Sequence, residues 1–210
     1  MIMKDNQLYI NSYVRLTNEF LIVDGKTVAE NDGMDAKEWL SFIYKELNLN
    51  YPKFFKMDAL CKSGFLASET VMRKEPSAEI REDWAVVCLG RAGSLDDDRN
   101  YQETIQLKEN YYPSPSVFVY TLANIVTGEL AIRHRIQGES SCYICERFDA
   151  KLLIEMVQDF FANTSARHVL CGWVDYDAAC IDVLLTTVSS SEKESVACLD
   201  VSALSDFYGR

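Results

Sequence analysis

The spacing of apolar residues switches between a period of two and the three-to-four spacing of helices along this chain. Leu8 to Thr17 alternates apolar and polar side chains, which predicts a first strand with one covered face. Phe20 to Val23 is a second short apolar run, and the Asp24-Gly25 that follows is a strong turn dipeptide, so a hairpin is expected near the start. Asp35 to Leu47 places Trp39, Leu40, Ile43 and Leu47 on one stripe behind an aspartate able to cap the free amides of a helix. Lys56 to Met72 gathers Met57, Leu60, Cys61, Phe65 and Leu66 on one side, with Gly64 open to close approach by a neighbour, and predicts a buried helix.

Trp84 to Leu89 is continuously apolar, the mark of a strand covered on both faces. The glycines of Gly90 to Leu95 lack the lysine and hydroxyl residue of a phosphate loop, and Asp96, Asp97 and Asp98 would repel phosphate, so a solvated loop or helix start is expected there. Val117 to Ile132 is apolar throughout, with small Ala123, Thr127 and Gly128, and predicts one helix buried on most sides. Ser141 to Cys145 reads as a short strand. Asp149 then caps a helix whose Leu152, Leu153, Met156, Val157, Phe160 and Phe161 share a face, and Arg167 to Val174 reads as a buried strand, which completes a parallel crossover. Two closing apolar runs, Ile181 to Val188 and Val196 to Val201, flank a polar SSSEKE turn and predict a hairpin. No repeat or low-complexity linker interrupts the pattern, so residues 1–210 are expected to form one domain.

Composition adds exclusions. With 48% hydrophobic and 11% aromatic residues the chain has the makings of a packed core, not of a fibrous or disordered polymer. A net charge of −11 disfavours nucleic acid as a partner. No apolar run approaches the roughly 20 residues of a membrane span. The opening Met1 to Asp5 has no basic-then-apolar leader pattern, so a cytoplasmic location is expected. The seven cysteines are odd in number and lie mainly in apolar stretches, as suits reduced core residues. Cys142 and Cys145 have the spacing of half a zinc site, but there is no second pair and only two histidines exist, so neither a metal nor a cofactor is expected.

Ser114 to Ile132, followed by Ile136-Gln137-Gly138, resembles a segment of the β-ketoacyl synthase family. Lys56 to Leu60 with Ala67-Ser68-Glu69 is similar to a helix of the same family, and Val169 to Val174 to one of its strands. The resemblance implies a thiolase-like (ketosynthase-like) α/β fold, with a mixed, mostly parallel sheet and helices on both faces, corresponding to the amino-terminal half of such an enzyme. The half that supplies two histidines and a lysine to catalysis would be missing. The family's nucleophilic cysteine would fall nine positions after Gly138, at Arg147. Condensation needs a thiolate and donors for the developing negative charge, and a guanidinium cannot attack a thioester. His134 and His168 lie in no motif that would set them beside a nucleophile.

The resemblance therefore implies a non-catalytic accessory or chain-length-type subunit for fatty-acid, polyketide or aryl-polyene synthesis. It would form a homodimer, or a heterodimer with a full-length ketosynthase, with Phe118, Tyr120, Leu122 and Ile125 lining the acyl tunnel or the interface. An acyl carrier protein would dock only if Arg133, Arg135 and Arg147 gathered into a basic patch against the overall negative charge. Two alternatives stay open. Cys145 would share a face with Arg147 if its strand continued, and with a thiol pKa depressed by the arginine it could carry an acyl group. The chain could also be an acyl-ligand binding module.

Overall fold

The computed structural model describes residues 7–210; the Met1 to Asp5 segment read above lies outside them. Strand β1 (Tyr9–Thr17) is followed by β2 (Phe20–Val23) and β3 (Lys26–Glu30). Asp24 and Gly25 close the β2–β3 turn with φ of 49° and 78°, the left-handed pair that a two-residue hairpin requires. Helix α1 (Ala36–Glu46) begins with a full capping box, in which Asp35 accepts from the amides of Lys37 and Glu38 while Glu38 reaches back to the Asp35 amide. Helix α2 (Ala59–Val71) starts three residues later than the pattern predicts, because Pro52–Lys56 forms a tighter 3-10 turn and Asp58 caps the helix through the Cys61 amide.

Next come β4 (Trp84–Gly90), α3 (Leu95–Ile105), α4 (Pro115–Phe118) and α5 (Ile125–His134). They lead to β5 (Ser140–Ile144), α6 (Ala150–Asn163), β6 (His168–Asp177), β7 (Cys180–Ser189), β8 (Ala197–Cys198) and α7 (Val201–Tyr208). The strands form one eight-stranded sheet in the order β3-β2-β1-β7-β6-β4-β5, with β8 pairing separately to β1. The sheet is mixed as expected, but its parallel part is confined to β5, β4 and β6, and antiparallel pairings outnumber parallel ones. The reason is local: β6 and β7 are joined by a two-residue turn, Ala178 and Ala179 at φ of 48° and 64°, which forces them antiparallel.

Alternate residues of β4 divide between two cores. Val86 and Cys88 face α1, α2 and α5, whereas Ala85, Val87 and Leu89 face α6 and α7. Helices thus cover both faces, as the resemblance implies. Strand β1 differs from its one-sided expectation. Its polar Ser12 and Arg15 are buried too, tolerated because Ser12 donates to the Asp24 carboxylate and Arg15 pairs with Asp182 at 2.7 Å. The closing hairpin is also corrected. Val196 to Val201 is not one strand paired to β7; β8 holds only two residues against β1, and Asp200 caps α7 through the Ala203 amide.

Candidate functional site

The sequence directs attention to the loop that follows β5. Gly90 sits where a Cβ would come within 2.6 Å of the Val174 carbonyl oxygen, so only glycine lets β4 pass β6 this closely. Ile144 pairs with Gly90, and the Cys145 amide donates to the Gly90 carbonyl at 2.8 Å; beyond that point β5 has no ladder to continue along. Cys145, Glu146, Arg147 and Phe148 therefore form a loop ahead of Asp149, which caps α6 through the Leu152 amide. This corrects the expectation that Cys145 and Arg147 share a strand face. Burial, followed by the Asp149 charge, pushes the Cys145 thiol up instead of down, so the neighbouring arginine does not activate it. Arg147 is exposed, and it contributes a permanent charge with no acid–base chemistry near neutral pH.

Arg147 lies on the rim of an open groove of about 760 Å³ at the carboxyl ends of β4, β5 and β6. The groove floor is closed on itself. Asp182 accepts from Arg15, from the Trp173 indole at 2.9 Å and from the Tyr208 hydroxyl at 2.6 Å. Neither histidine reaches this place. His134 bonds Ser68 at 2.7 Å, and His168 stacks on Trp84 at the opposite end of the strands, with ring centroids 4.9 Å apart. Among the described residues, no group of three or more His, Cys, Asp or Glu side chains is arranged to hold a metal ion. The carboxylate and hydroxyl on its floor are thus bonded to one another, and no histidine lines the groove.

The resembling segment departs from its predicted form. Val117 to Ile132 is not one buried helix: α4 passes through a 3-10 turn (Val119–Thr121), and the chain bends by 98° before α5. Leu122 is extended (ψ 120°), and its carbonyl accepts from the Ser94 hydroxyl at 2.7 Å as well as from the Ile125 amide at 2.9 Å. Phe118 is 54% and Leu122 53% exposed, while Tyr120 points inward and donates to Glu129, itself paired with Lys53 at 2.6 Å. Ile125 is half-buried against the α2 core. A Cβ at Gly128 would meet nothing outside its own helix backbone within 4 Å, so Gly128 is not a packing glycine; Gly64 is one, facing Val126. No single helix among the described residues is long and apolar enough to cross a membrane.

The exposed segment lies beside β5, the edge strand at that end of the sheet. The Cys142 thiol donates to the Ala123 carbonyl at 3.3 Å, and Ile144 and Ala123 meet over Gly93. Tyr143 and Ile144, on opposite faces of β5, are exposed as well, so exposed apolar side chains (Phe118, Val119, Leu122, Tyr143 and Ile144) occur both on this segment and along an unpaired strand edge beside it. The basic patch does not form. Arg133 and Arg135 sit where α5 leads into β5, Arg133 is held by Glu69, and Arg147 lies beyond the other end of that strand.

No family model matches the sequence, and no curated protein matches it. Solved structures do resemble the fold. The ishigamide ketosynthase/chain length factor superimposes with a TM-score of 0.65 at 16% identity, over 89% of this chain and 63% of that one. A type II polyketide ketosynthase in complex with its acyl-carrier protein and bound to the hexaketide gives 0.57 at 11% identity, over 87% and 62%. A ketosynthase in complex with its chain length factor, from Xenorhabdus doucetiae, gives 0.55 at 12% identity, over 88% and 79%. The fold is therefore the thiolase-like fold of ketosynthases and chain length factors. The chain spans less than two thirds of the length of the first two of these structures.

Proposed function

We propose that this chain is a non-catalytic ketosynthase-like subunit of the chain-length-factor kind, which works by pairing with a full-length ketosynthase in fatty-acid, polyketide or aryl-polyene synthesis. In this reading residues 1–210 act as one amino-terminal-half unit, and Arg147 occupies the position of the absent nucleophile. The observation that carries the proposal is the apolar surface around β5. A strand edge with unpaired amides and carbonyls, flanked by exposed Phe118 and Leu122, favours extension of the sheet by a partner strand. Two of the similar structures are described as a ketosynthase with a chain length factor, which supports a heterodimer over a pair of identical chains. Phe118 and Leu122 would face the partner, while Tyr120 and Ile125 would support them from behind. The acyl carrier protein is then met by the assembly and not by this acidic chain alone.

Co-expression of the tagged chain with a full-length ketosynthase from the same genome tests this reading. A one-to-one complex on size-exclusion chromatography, with no acyl adduct on this chain after incubation with acyl thioesters, is expected. A monomer that never pairs, or a stable thioester on Cys145, overturns it.

A further inference from the structure

Arg81 is a buried cation without a counter-ion. The residue is 9% exposed, yet its guanidinium makes no ion pair among the described residues; it donates to the Pro76 carbonyl at 2.8 Å and lies over the Trp84 ring, 5.3 Å from the centroid. Burial pulls its pKa below the usual guanidinium range, and the charges of Glu75 and Asp83 offset that only in part. A buried charge is costly unless an opposite charge meets it.

Arg81 lines a recess of about 360 Å³ beside the carboxyl ends of α2 and α5. Four arginines, Arg73, Arg81, Arg133 and Arg135, face it against two carboxylates, Glu69 and Glu75. Glu69 takes both the Nε and an Nη of Arg133, and Glu75 accepts from the Asn11 amide at 3.4 Å. Arg73 and Arg135 donate only to carbonyls, those of Leu47 and Glu79. His134, whose pKa burial lowers to about 4, is neutral near physiological pH. The recess therefore holds an excess of positive charge in a chain whose net charge is −11. We propose that it binds a doubly charged oxyanion of the phosphate type, with Arg81 as the inner donor and Arg73 and Arg135 flanking it.

Backbone contacts fix these donors. The Arg81 amide donates to the Arg135 carbonyl at 2.9 Å and the Gln137 amide to the Arg81 carbonyl at 3.0 Å, a parallel bridge between Arg81 and Ile136. Arg135 itself caps α5 in the left-handed region, at φ 57°. The last carbonyls of α2 and α5 carry partial negative charge, which accounts for basic side chains at the helix ends such as Arg73 and Arg133. It does not account for Arg81, which belongs to neither helix and whose side chain bonds neither end. A guanidinium presents a planar fork of N–H donors that matches phosphate oxygens two at a time. Arg147 lies beyond the other end of β5 and takes no part, and the site does not depend on the function proposed above.

Titration of the isotope-labelled chain with inorganic phosphate, followed by two-dimensional NMR at constant pH and ionic strength, tests the site. Saturable shifts are expected for amides of residues 73–81 and 133–137, while residues 145–149, beside the exposed Arg147, stay unmoved. Arg81→Met keeps the apolar stem, removes the charge and is expected to weaken binding by about tenfold or more. No saturable shift, or equal affinity in Arg81→Met, overturns the proposal. If that variant does not fold, Arg135→Asn, at an exposed position and tolerant of the left-handed backbone, takes its place; a weaker affinity is expected, and an unchanged one overturns the proposal. Methyl phosphate identifies the source of the anion: binding as tight as that of inorganic phosphate assigns the phosphoryl end of a larger molecule, weaker binding assigns the free ion, and both support the site.

Discussion

Val126 rests directly on the backbone of Gly64: a Cβ built on that glycine would meet the valine Cγ2 at 2.8 Å, so the Val126 side chain of α5 packs against α2 backbone with no α2 side chain in between. Gly64→Ala forces Val126 aside and is expected to cost about 1–3 kcal/mol. Gly128, also helical, has open space where its Cβ would go, so Gly128→Ala is expected to stabilise by about 0.5–1 kcal/mol. Urea denaturation of the two variants should give opposite signs.

Asp175 organises the loop that leads from β4 to α3. Its carboxylate is 4% exposed and accepts from the amides of Arg91 at 2.9 Å and Ala92 at 2.7 Å, a geometry that fixes the turn at Gly90. Asp175→Ala leaves both amides without an acceptor and is expected to cost about 3 kcal/mol, since hydrogen bonds to a charged group are the stronger kind. Asp175→Asn keeps one acceptor oxygen and should lose less. Thermal unfolding of the pair reads the difference.

The thiols separate by exposure. Cys180 and Cys198 are exposed, whereas Cys145 is half-buried with its thiol pushed up by burial and by Asp149. Timed labelling with iodoacetamide at neutral pH should modify Cys180 and Cys198 before Cys145. Preferential labelling of Cys145 would revive the acyl-transfer alternative. Arg147→Cys should place a thiol on the groove rim without turnover, because neither histidine lies there.

Much of this architecture is legible in the chain. Asp35 and Asp149 mark helix starts, the run Trp84 to Leu89 is a doubly covered strand, and the Asp24-Gly25 hairpin follows from backbone preference alone. What stayed hidden depends on partners far away in sequence. An apolar run without a stripe has the same composition whether it is buried or faces outward, so Val117 to Ile132 gave no sign of the bend at Leu122 or of its bond to the distant Ser94 hydroxyl. β5 ends at Ile144 where its ladder partner β4 ends at Gly90, so Cys145 and Arg147 fall in the following loop and not on one strand face.

Phe118 and Leu122 are exposed enough that charge can be placed there without breaking the core. Phe118→Asp and Leu122→Asp are expected to leave stability within about 0.5 kcal/mol while abolishing co-purification with a ketosynthase. Tyr120→Phe, which removes only the hydroxyl donated to Glu129, should weaken the complex less. Complex formation unaffected by both aspartates would place the interface elsewhere.

His134 gives the chain an acid-side instability. Burial lowers its pKa from 6.5 to about 4, and its ring bonds the buried Ser68 hydroxyl. An unfolded chain binds this proton near pH 6.5 and the folded one only near pH 4, so stability falls as pH drops through that window, by up to about 3 kcal/mol. Asp58 acts with the opposite sign: its raised pKa favours the folded state at low pH, and that contribution is lost as pH rises toward about 7. The two slopes overlap, so the unaltered chain alone does not resolve them. The difference between the unaltered chain and His134→Gln cancels the Asp58 contribution. Denaturant midpoints measured at about pH 7 and about pH 4.5 should therefore show the variant losing markedly less stability on acidification. Parallel losses in both proteins would mean that His134 titrates normally in the folded state.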